Sequence, residues 1–223
     1  MWLDVDTTIR QKTNNKKSLH DFLVLFVGKG GDTGPMVVPY TFDELVVTLN
    51  EVVPNNWAGF LRKRITSLDP HADLAGIEHG GYKLVYTDKP TSYEQAFMMR
   101  LGSVDAWYSA GLRLRNDGTI IDVRVFSKAE EAKFFPGEKI ISVNDRIFSP
   151  DVLKAAIRQG KSSTEPIHFI VQSDTYVYSI DLNYHDGEKY PTLQRVEGAP
   201  ALLDDIVKPM TAVKAVLSSD DLK

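Results

Sequence analysis

Tyr108-Ser109-Ala110-Gly111-Leu112-Arg113-Leu114-Arg115-Asn116-Asp117-Gly118 sets a small-residue loop, an alternating apolar run and a tight turn in eleven consecutive positions. Leu112 and Leu114 fall on one side of a strand, Arg113 and Arg115 on the other, because side chains alternate with period two. Asn116-Asp117-Gly118 is a hairpin signal, and Thr119 to Phe126 follows as the return strand. A loop of small residues and glycine entering an edge strand exposes successive backbone N–H groups. Such a nest suits a terminal carboxylate, and the open edge accepts a peptide as an added strand. The same residues also suit a tight turn inside a sheet.

Outward from this stretch the strand pattern continues. Tyr82 to Tyr86 alternates, Pro136-Gly137 is a turn, and Lys139 to Val143 is a short strand. Ser149-Pro150 reads as a helix start, cap then Pro at the first helical position, and that helix runs to Gln159 and stops at Gly160. It forms the other wall of a groove whose floor includes Leu112, Leu114 and Ile157. Ile167 to Gln172 and Tyr176 to Leu182 form a last strand pair.

Before residue 69 the apolar spacing is helical. Residues 2–11 place Trp2, Val5 and Ile9 on one face. Ser18 with Asp21, and Thr41 with Glu44, have capping-box spacing, and Tyr40 with Leu45 has the spacing of a hydrophobic staple. Asn56 caps a third clear helix with Trp57, Phe60, Leu61 and Ile65. The spacing therefore predicts an α+β chain: a helical segment over 1–68, a linker over 69–81, a small β-barrel or sandwich with two helices over 82–184, and a wrapping tail over 185–223 with a short helix at Ala201 to Val207.

Composition is that of a globular protein, 43% apolar and 25% charged over 223 residues. The net charge of −4 gives no electrostatic footprint for nucleic acid or an anionic membrane, so neither is an expected partner. Charge is uneven: residues 1–68 hold 8 Lys/Arg and 7 Asp/Glu, the rest 18 and 23. The longest apolar run, Phe22 to Val27, is far short of the ~20 residues of a spanning helix. Met1 to Asp6 shows no basic, apolar or cleavage region of a secretory signal, and the compartment stays open.

The chain has no cysteine, which excludes disulfides, thiolate metal sites and a cysteine nucleophile. No two of His20, His71, His79, His168 and His185 have the helical spacing of a zinc pair, though His71 and His79 are two turns apart. No Gly-x-Ser-x-Gly elbow is present. The glycine-rich run Gly28 to Gly34 lacks the Gly-Lys-Ser/Thr ending of a phosphate loop and reads as an ordinary loop. Asp4 and Asp6 do not share a helix face, and Asp220-Asp221 reads as solvated tail. These residues contain no catalytic constellation.

Residues 82–184 resemble a PDZ domain of the bacterial protease-associated kind, through Tyr108-Ser109-Ala110-Gly111-Leu112 and through Pro136-Gly137-Glu138-Lys139-Ile140-Ile141-Ser142-Val143-Asn144-Asp145. Glu138 and Asp145 stand where that family usually has Asp and Gly, Ala110 where it has a bulky residue, and the helix at Lys128 to Lys133 lacks the usual Gly. The flanks resemble the end of a metallopeptidase domain: Trp2-Leu3-Asp4-Val5-Asp6, Lys17-Ser18-Leu19-His20-Asp21-Phe22, Pro39-Tyr40-Thr41-Phe42-Asp43-Glu44-Leu45, Asn56-Trp57 and Pro191-Thr192-Leu193-Gln194-Arg195-Val196-Glu197-Gly198. In this order the segments look like the C-terminal part of the glycyl aminopeptidase family, in which a thermolysin-like zinc domain precedes a PDZ domain.

That resemblance implies peptide binding at Tyr108, Ser109, Ala110, Gly111, Leu112, Leu114 and Ile157. It implies a zinc site of the His-Glu-x-x-His type, which this sequence does not contain, so the zinc is expected in a catalytic domain before Met1. No catalytic or metal residue is expected in this chain itself, and no cofactor. The expected partners are a peptide or protein terminus and, through residues 2–68, that catalytic domain or a second copy. The alternative is a free-standing peptide-binding adaptor.

Overall fold

A computed structural model describes residues 1–28, 37–69, 71–209 and 211. Most of the glycine-rich run and Asp220-Asp221 lie outside the described residues. The chain divides into two compact units, one formed by Met1–Leu84 with Leu193–Lys223, the other by Val85–Thr192.

The first unit is helical: α1 (Trp2–Lys12), α2 (Leu19–Phe26), α3 (Phe42–Val52) and α4 (Trp57–Thr66). Both expected capping boxes are present, Ser18 with Asp21 and Thr41 with Glu44, and the Asn56 side chain accepts from Gly59 N–H. Each satisfies N–H groups that a helix start leaves unpaired. Val5, Ile9, Phe22, Leu49, Val52, Trp57 and Leu61 form the core. Trp57 is fully enclosed, and its indole N–H donates to the Val53 carbonyl at 2.9 Å. Trp2 stays partly exposed and stacks on Phe22. Tyr40 meets Phe26 edge-on at 5.0 Å.

Part of the stretch read as a linker is a short helix, α5 (Ala75–His79). It lies so close to α1 that a Cβ on Gly76 would come within 2.7 Å of the Asp4 backbone nitrogen. The tail joins the same unit: Arg195 donates to the carbonyls of Gly81 and Val196, and the N–H of Leu203, in α9 (Leu202–Ile206), donates to Gly80.

Strands β1 (Tyr82–Thr87) and β9 (Tyr190–Arg195) pair as a two-stranded ribbon, and the division between the units runs through both. In the second unit, α6 (Ser92–Leu101) begins at a capping box of Thr91 and Glu94 and ends at Gly102 in the left-handed region. Three antiparallel strands follow, β2 (Ser103–Ala106), β3 (Leu112–Arg115) and β4 (Ile120–Val123), in the order β2-β3-β4. After α7 (Lys128–Glu131), strands β5 (Lys139–Val143), β6 (Arg146–Ile147), β7 (Ile167–Ser173) and β8 (Tyr176–Leu182) form a second sheet, ordered β6-β5-β7-β8. The helix α8 (Pro150–Gly160) is capped by Ser149, whose oxygen accepts from Val152 N–H. Ile120 N–H to Glu138 and Ile140 N–H to Gly118 tie the two sheets together. Leu112, Leu114, Ile120, Phe134, Ile140, Leu153, Ile157 and Phe169 fill the space between them.

The fold is α+β, with open sheets rather than a closed barrel. β4 stops three residues earlier than its composition predicts, at Val123 rather than Phe126, because Arg124 N–H turns back to the Gly111 carbonyl and Phe126 takes φ +60°.

Candidate functional site

The loop singled out in the sequence joins β2 to β3. Asp105 accepts the N–H of Trp107, the Ala106 carbonyl accepts the N–H of Gly111 at 2.9 Å, and the chain then enters β3. Gly111 sits at φ +93°, and a Cβ there would lie 2.1 Å from Ser127 Oγ. This position needs glycine for two separate reasons, backbone conformation and space. Carbonyls of Ala110 and Gly111 accept from Ala129 and Arg124, which fastens the loop to the start of α7.

The expected open edge of β3 is filled. Ser103–Ala106 pairs along one side, from Ser103 opposite Arg115 to Ala106 opposite Leu112, and β4 pairs along the other. The N–H of Gly111, expected in an anion nest, is spent on the chain's own carbonyl at Ala106. The signal that could have shown this is short: Gly102 ends α6, and Val104 and Ala106 then alternate with Ser103 and Asp105, four residues of strand periodicity.

The seven expected binding residues separate into two groups. Ala110, Leu112, Leu114 and Ile157 are enclosed in the core of the second unit, and Gly111 shapes the turn. Tyr108 and Ser109 instead reach a cavity of about 360 Å³, which Arg124, Phe126, Ser127 and Lys189 also line. Ser109 is buried, and its hydroxyl accepts the N–H of Lys189 at 2.9 Å. Tyr184, on the wall, donates its hydroxyl to the Gly187 carbonyl, and burial pushes its ionisation well above the usual phenol range. Arg124 lies over the Tyr108 ring at 5.9 Å. The sequence reading missed Arg124 and Phe126, because it placed both inside a regular strand.

Elsewhere in this unit Glu138 is buried, accepts the N–H of Phe135 and receives the Tyr178 hydroxyl. Burial, with that bond second, pushes the Tyr178 hydroxyl up to about 12. Tyr190 is shifted upward in the same way by burial and by its bond to Glu188.

In the helical unit Asp4 and Asp6 are both buried but serve different partners. Asp4 pairs with Arg64 and faces His79 Nδ1 at 3.3 Å, while Asp6 pairs with Arg10 and accepts the N–H of Leu19. His71 precedes α5 and does not share a helix with His79. Among the described residues no three His, Cys, Asp or Glu side chains gather as a metal-holding group. Among the described residues no helix is long and apolar enough to cross a membrane.

No family model and no curated protein matches the chain. Among solved structures it is similar to an aminopeptidase N family protein from Idiomarina loihiensis, with TM-score 0.63 and 14% identity over 93% of this chain. The match covers 35% of that protein, so the chain spans about a third of its relative's length. At this identity the likeness shows the fold alone: the chain has a fold distantly related to part of an aminopeptidase. The PDZ domain of HtrA3 bound to a phage-derived ligand also matches, at TM-score 0.25 and 10% identity over 51% of this chain and 92% of that one, a score that carries no argument.

Proposed function

We propose that this chain is the non-catalytic C-terminal part of a glycyl aminopeptidase-like zinc metallopeptidase. In this reading the helical unit docks on the zinc domain, and the β-rich unit binds or positions peptide. The observation that carries it is the fold likeness over 93% of this chain to about a third of a longer aminopeptidase-family protein.

The helical unit supports the docking role physically. α2 reads Leu-His-Asp-Phe-Leu-Val-Leu-Phe, apolar on nearly every face, yet Phe22 is the one residue of that helix that is buried. A helix apolar all round belongs in the interior of a larger body. Leu23, Val24 and Leu25 on α2 and Val47 on α3 are exposed instead. Exposed apolar area of this kind marks an interaction surface.

The test compares the 223-residue chain with the product of the longest reading frame that contains it. The longer product is expected to hold one zinc per chain and to release glycine from glycyl peptides, while the 223-residue chain does neither. Tight stoichiometric zinc and hydrolysis in the 223-residue chain alone, or neither property in the longer product, overturns the reading.

A further inference from the structure

We infer that the outer edge of β8 is a pairing surface for a second copy of this chain, the two β8 strands running antiparallel about a two-fold axis at Ser179. The inference rests on the β-rich unit alone and stands whether or not the chain belongs to an aminopeptidase. β8 ends the sheet ordered β6-β5-β7-β8, and among the described residues no strand pairs with its other side. An open edge of this kind accepts an added strand through main-chain hydrogen bonds.

Backbone direction shows which groups are free. In an antiparallel sheet one residue turns its N–H and C=O to one neighbouring strand, and the next residue turns them to the other. Asn144 N–H donates to the His168 carbonyl at 2.8 Å, and His168 N–H donates to Asn144 Oδ1 at 2.9 Å, so His168 is turned to the β5 side. Ile167, Phe169, Val171 and Ser173 are therefore turned to β8, opposite Leu182, Ile180, Tyr178 and Tyr176. Val177, Ser179 and Asp181 keep N–H and C=O groups that point away from the sheet, and all three residues are exposed. Proteins blunt such edges by shortness, by Lys or Pro, or by a bulge. The other edges of the unit's two sheets are short, four residues in β2 and β4 and two in β6. β8 is seven residues long, holds no Lys, Arg or Pro, and pairs with β7 in unbroken register.

Pattern and charge choose the occupant. Set antiparallel about Ser179, the strand brings Ser179 against Ser179 of the second copy, Val177 against Asp181, Tyr178 against Ile180 and Tyr176 against Leu182. Every outward-turned residue then meets another, and about six main-chain hydrogen bonds form across the axis. The contact is the same patch on both copies, as a closed two-fold dimer requires. Asp181 is the one charged residue of the strand, and its Oδ1 already bonds His168 Nδ1 at 2.7 Å. It meets Val177 across the axis, so no two like charges are opposed. Aromatic side chains opposite aliphatic ones are favourable cross-strand pairs. Tyr176 and Val177, 75% and 62% exposed, would be covered. A charged foreign strand finds a single carboxylate here, already held by His168, whereas the strand meets no conflict along its own sequence. Seven residues a side bury less than the ~1,200 Å² of a stable interface, so the pairing is weak and depends on concentration.

The experiment follows amide hydrogen exchange in the full chain carrying Val24→Glu and Val47→Glu, which break the exposed apolar face of the helical unit and so separate this contact from any made there. From micromolar to millimolar protein, exchange at Val177, Ser179 and Asp181 should slow at least ~3-fold, while Tyr178 and Ile180, already bonded to β7, change less than ~2-fold. Ser179→Lys sets two lysines against each other across the axis and should abolish the slowing. Val177→Lys sets a lysine against Asp181 of the other copy and should retain it, which a general effect of edge charge would not allow. The chain has no cysteine, so Ser179→Cys supplies a single thiol, and a short bis-maleimide should join two copies through it. Ser162→Cys, exposed after α8 and away from the axis, should not be joined. If Ser179→Lys does not fold, the cross-link decides alone. Exchange independent of concentration, which leaves the edge to a foreign strand, equal behaviour of the two lysine variants, or equal cross-linking through Ser162→Cys each overturns the proposal.

Discussion

Strand β7 and helix α2 are both strongly apolar, and their surroundings differ. In β7, Ile167, Phe169 and Val171 point inward and are enclosed, while His168 and Ile170 between them are half-buried and Gln172 after them is exposed. In α2 the apolar residues run round the helix, and Leu23, Val24 and Leu25 stay exposed beside a buried Phe22. The β-rich unit completes its core from its own two sheets and α8. The helical unit closes a small core around Trp57 and then fixes itself with buried ions, Asp4 to Arg64 and Asp6 to Arg10. Small units bury a low fraction of their surface and lean on such additional ties. On the proposed reading, the β-rich unit is finished by its own chain and the helical unit by a docking partner.

The largest effect that sharpens this contrast is expected at the helical core. Trp57→Ala removes a fully enclosed ring and leaves the Val53 carbonyl without its indole donor, so it should cost about 3–5 kcal/mol in denaturant unfolding. Hydrogen exchange should accelerate in α1 to α4 and remain slow in β5 and β7. Gly111→Val is the counterpart in the β-rich unit. Positive φ and the approach to Ser127 together should cost about 3 kcal/mol, with exchange rising in β2 to β4. A loss under about 1 kcal/mol would mean the loop relaxes freely, and the close fit of this turn would be wrong.

Asp4→Asn should come next, at about 2–3 kcal/mol, because it leaves Arg64 with a more distant Asp73 and takes from His79 the carboxylate that faces it. The figure lies below that of a fully buried pair because His79 and Asp73 reach solvent. The smallest effect is alkaline. The Tyr178 hydroxyl is pushed up to about 12 by burial, so the folded state keeps a proton that the unfolded chain loses near pH 10. Its contribution is full below pH 10 and falls away as pH rises from 10 towards 12. Tyr178→Phe should flatten that part of the stability profile, and an unchanged slope would show that the fold does not hold the Tyr178 hydroxyl protonated.

Much of the fold was legible because caps and turns are local. Ser18, Thr41, Asn56 and Ser149 each mark a helix start that the structure contains, and Asn116-Asp117-Gly118 and Pro136-Gly137 mark turns, with Gly118 and Gly137 at positive φ. α6 was missed although Thr91 and Glu94 form the same box, because the residues after them show no clear apolar face. α5 was missed because its stability comes from Gly76 lying against α1, a contact distant in sequence. The candidate site was half legible. Tyr108 and Ser109 lie at the cavity, but the strand that fills β3's edge is four residues long, and whether an edge is open depends on what else in the chain pairs with it. Arg124 was hidden for a related reason: its N–H turns back to the Gly111 carbonyl, a bond that exists only once the chain is folded.

Sedimentation equilibrium of the 223-residue chain over a wide concentration range tests the contrast between the units most directly. The exposed apolar residues of α2 and α3 should drive self-association as concentration rises, and Val24→Glu with Val47→Glu should reduce it while leaving the unfolding midpoint nearly unchanged. A clean monomer at the highest concentration would contradict the account, since the helical unit would then be complete as it stands.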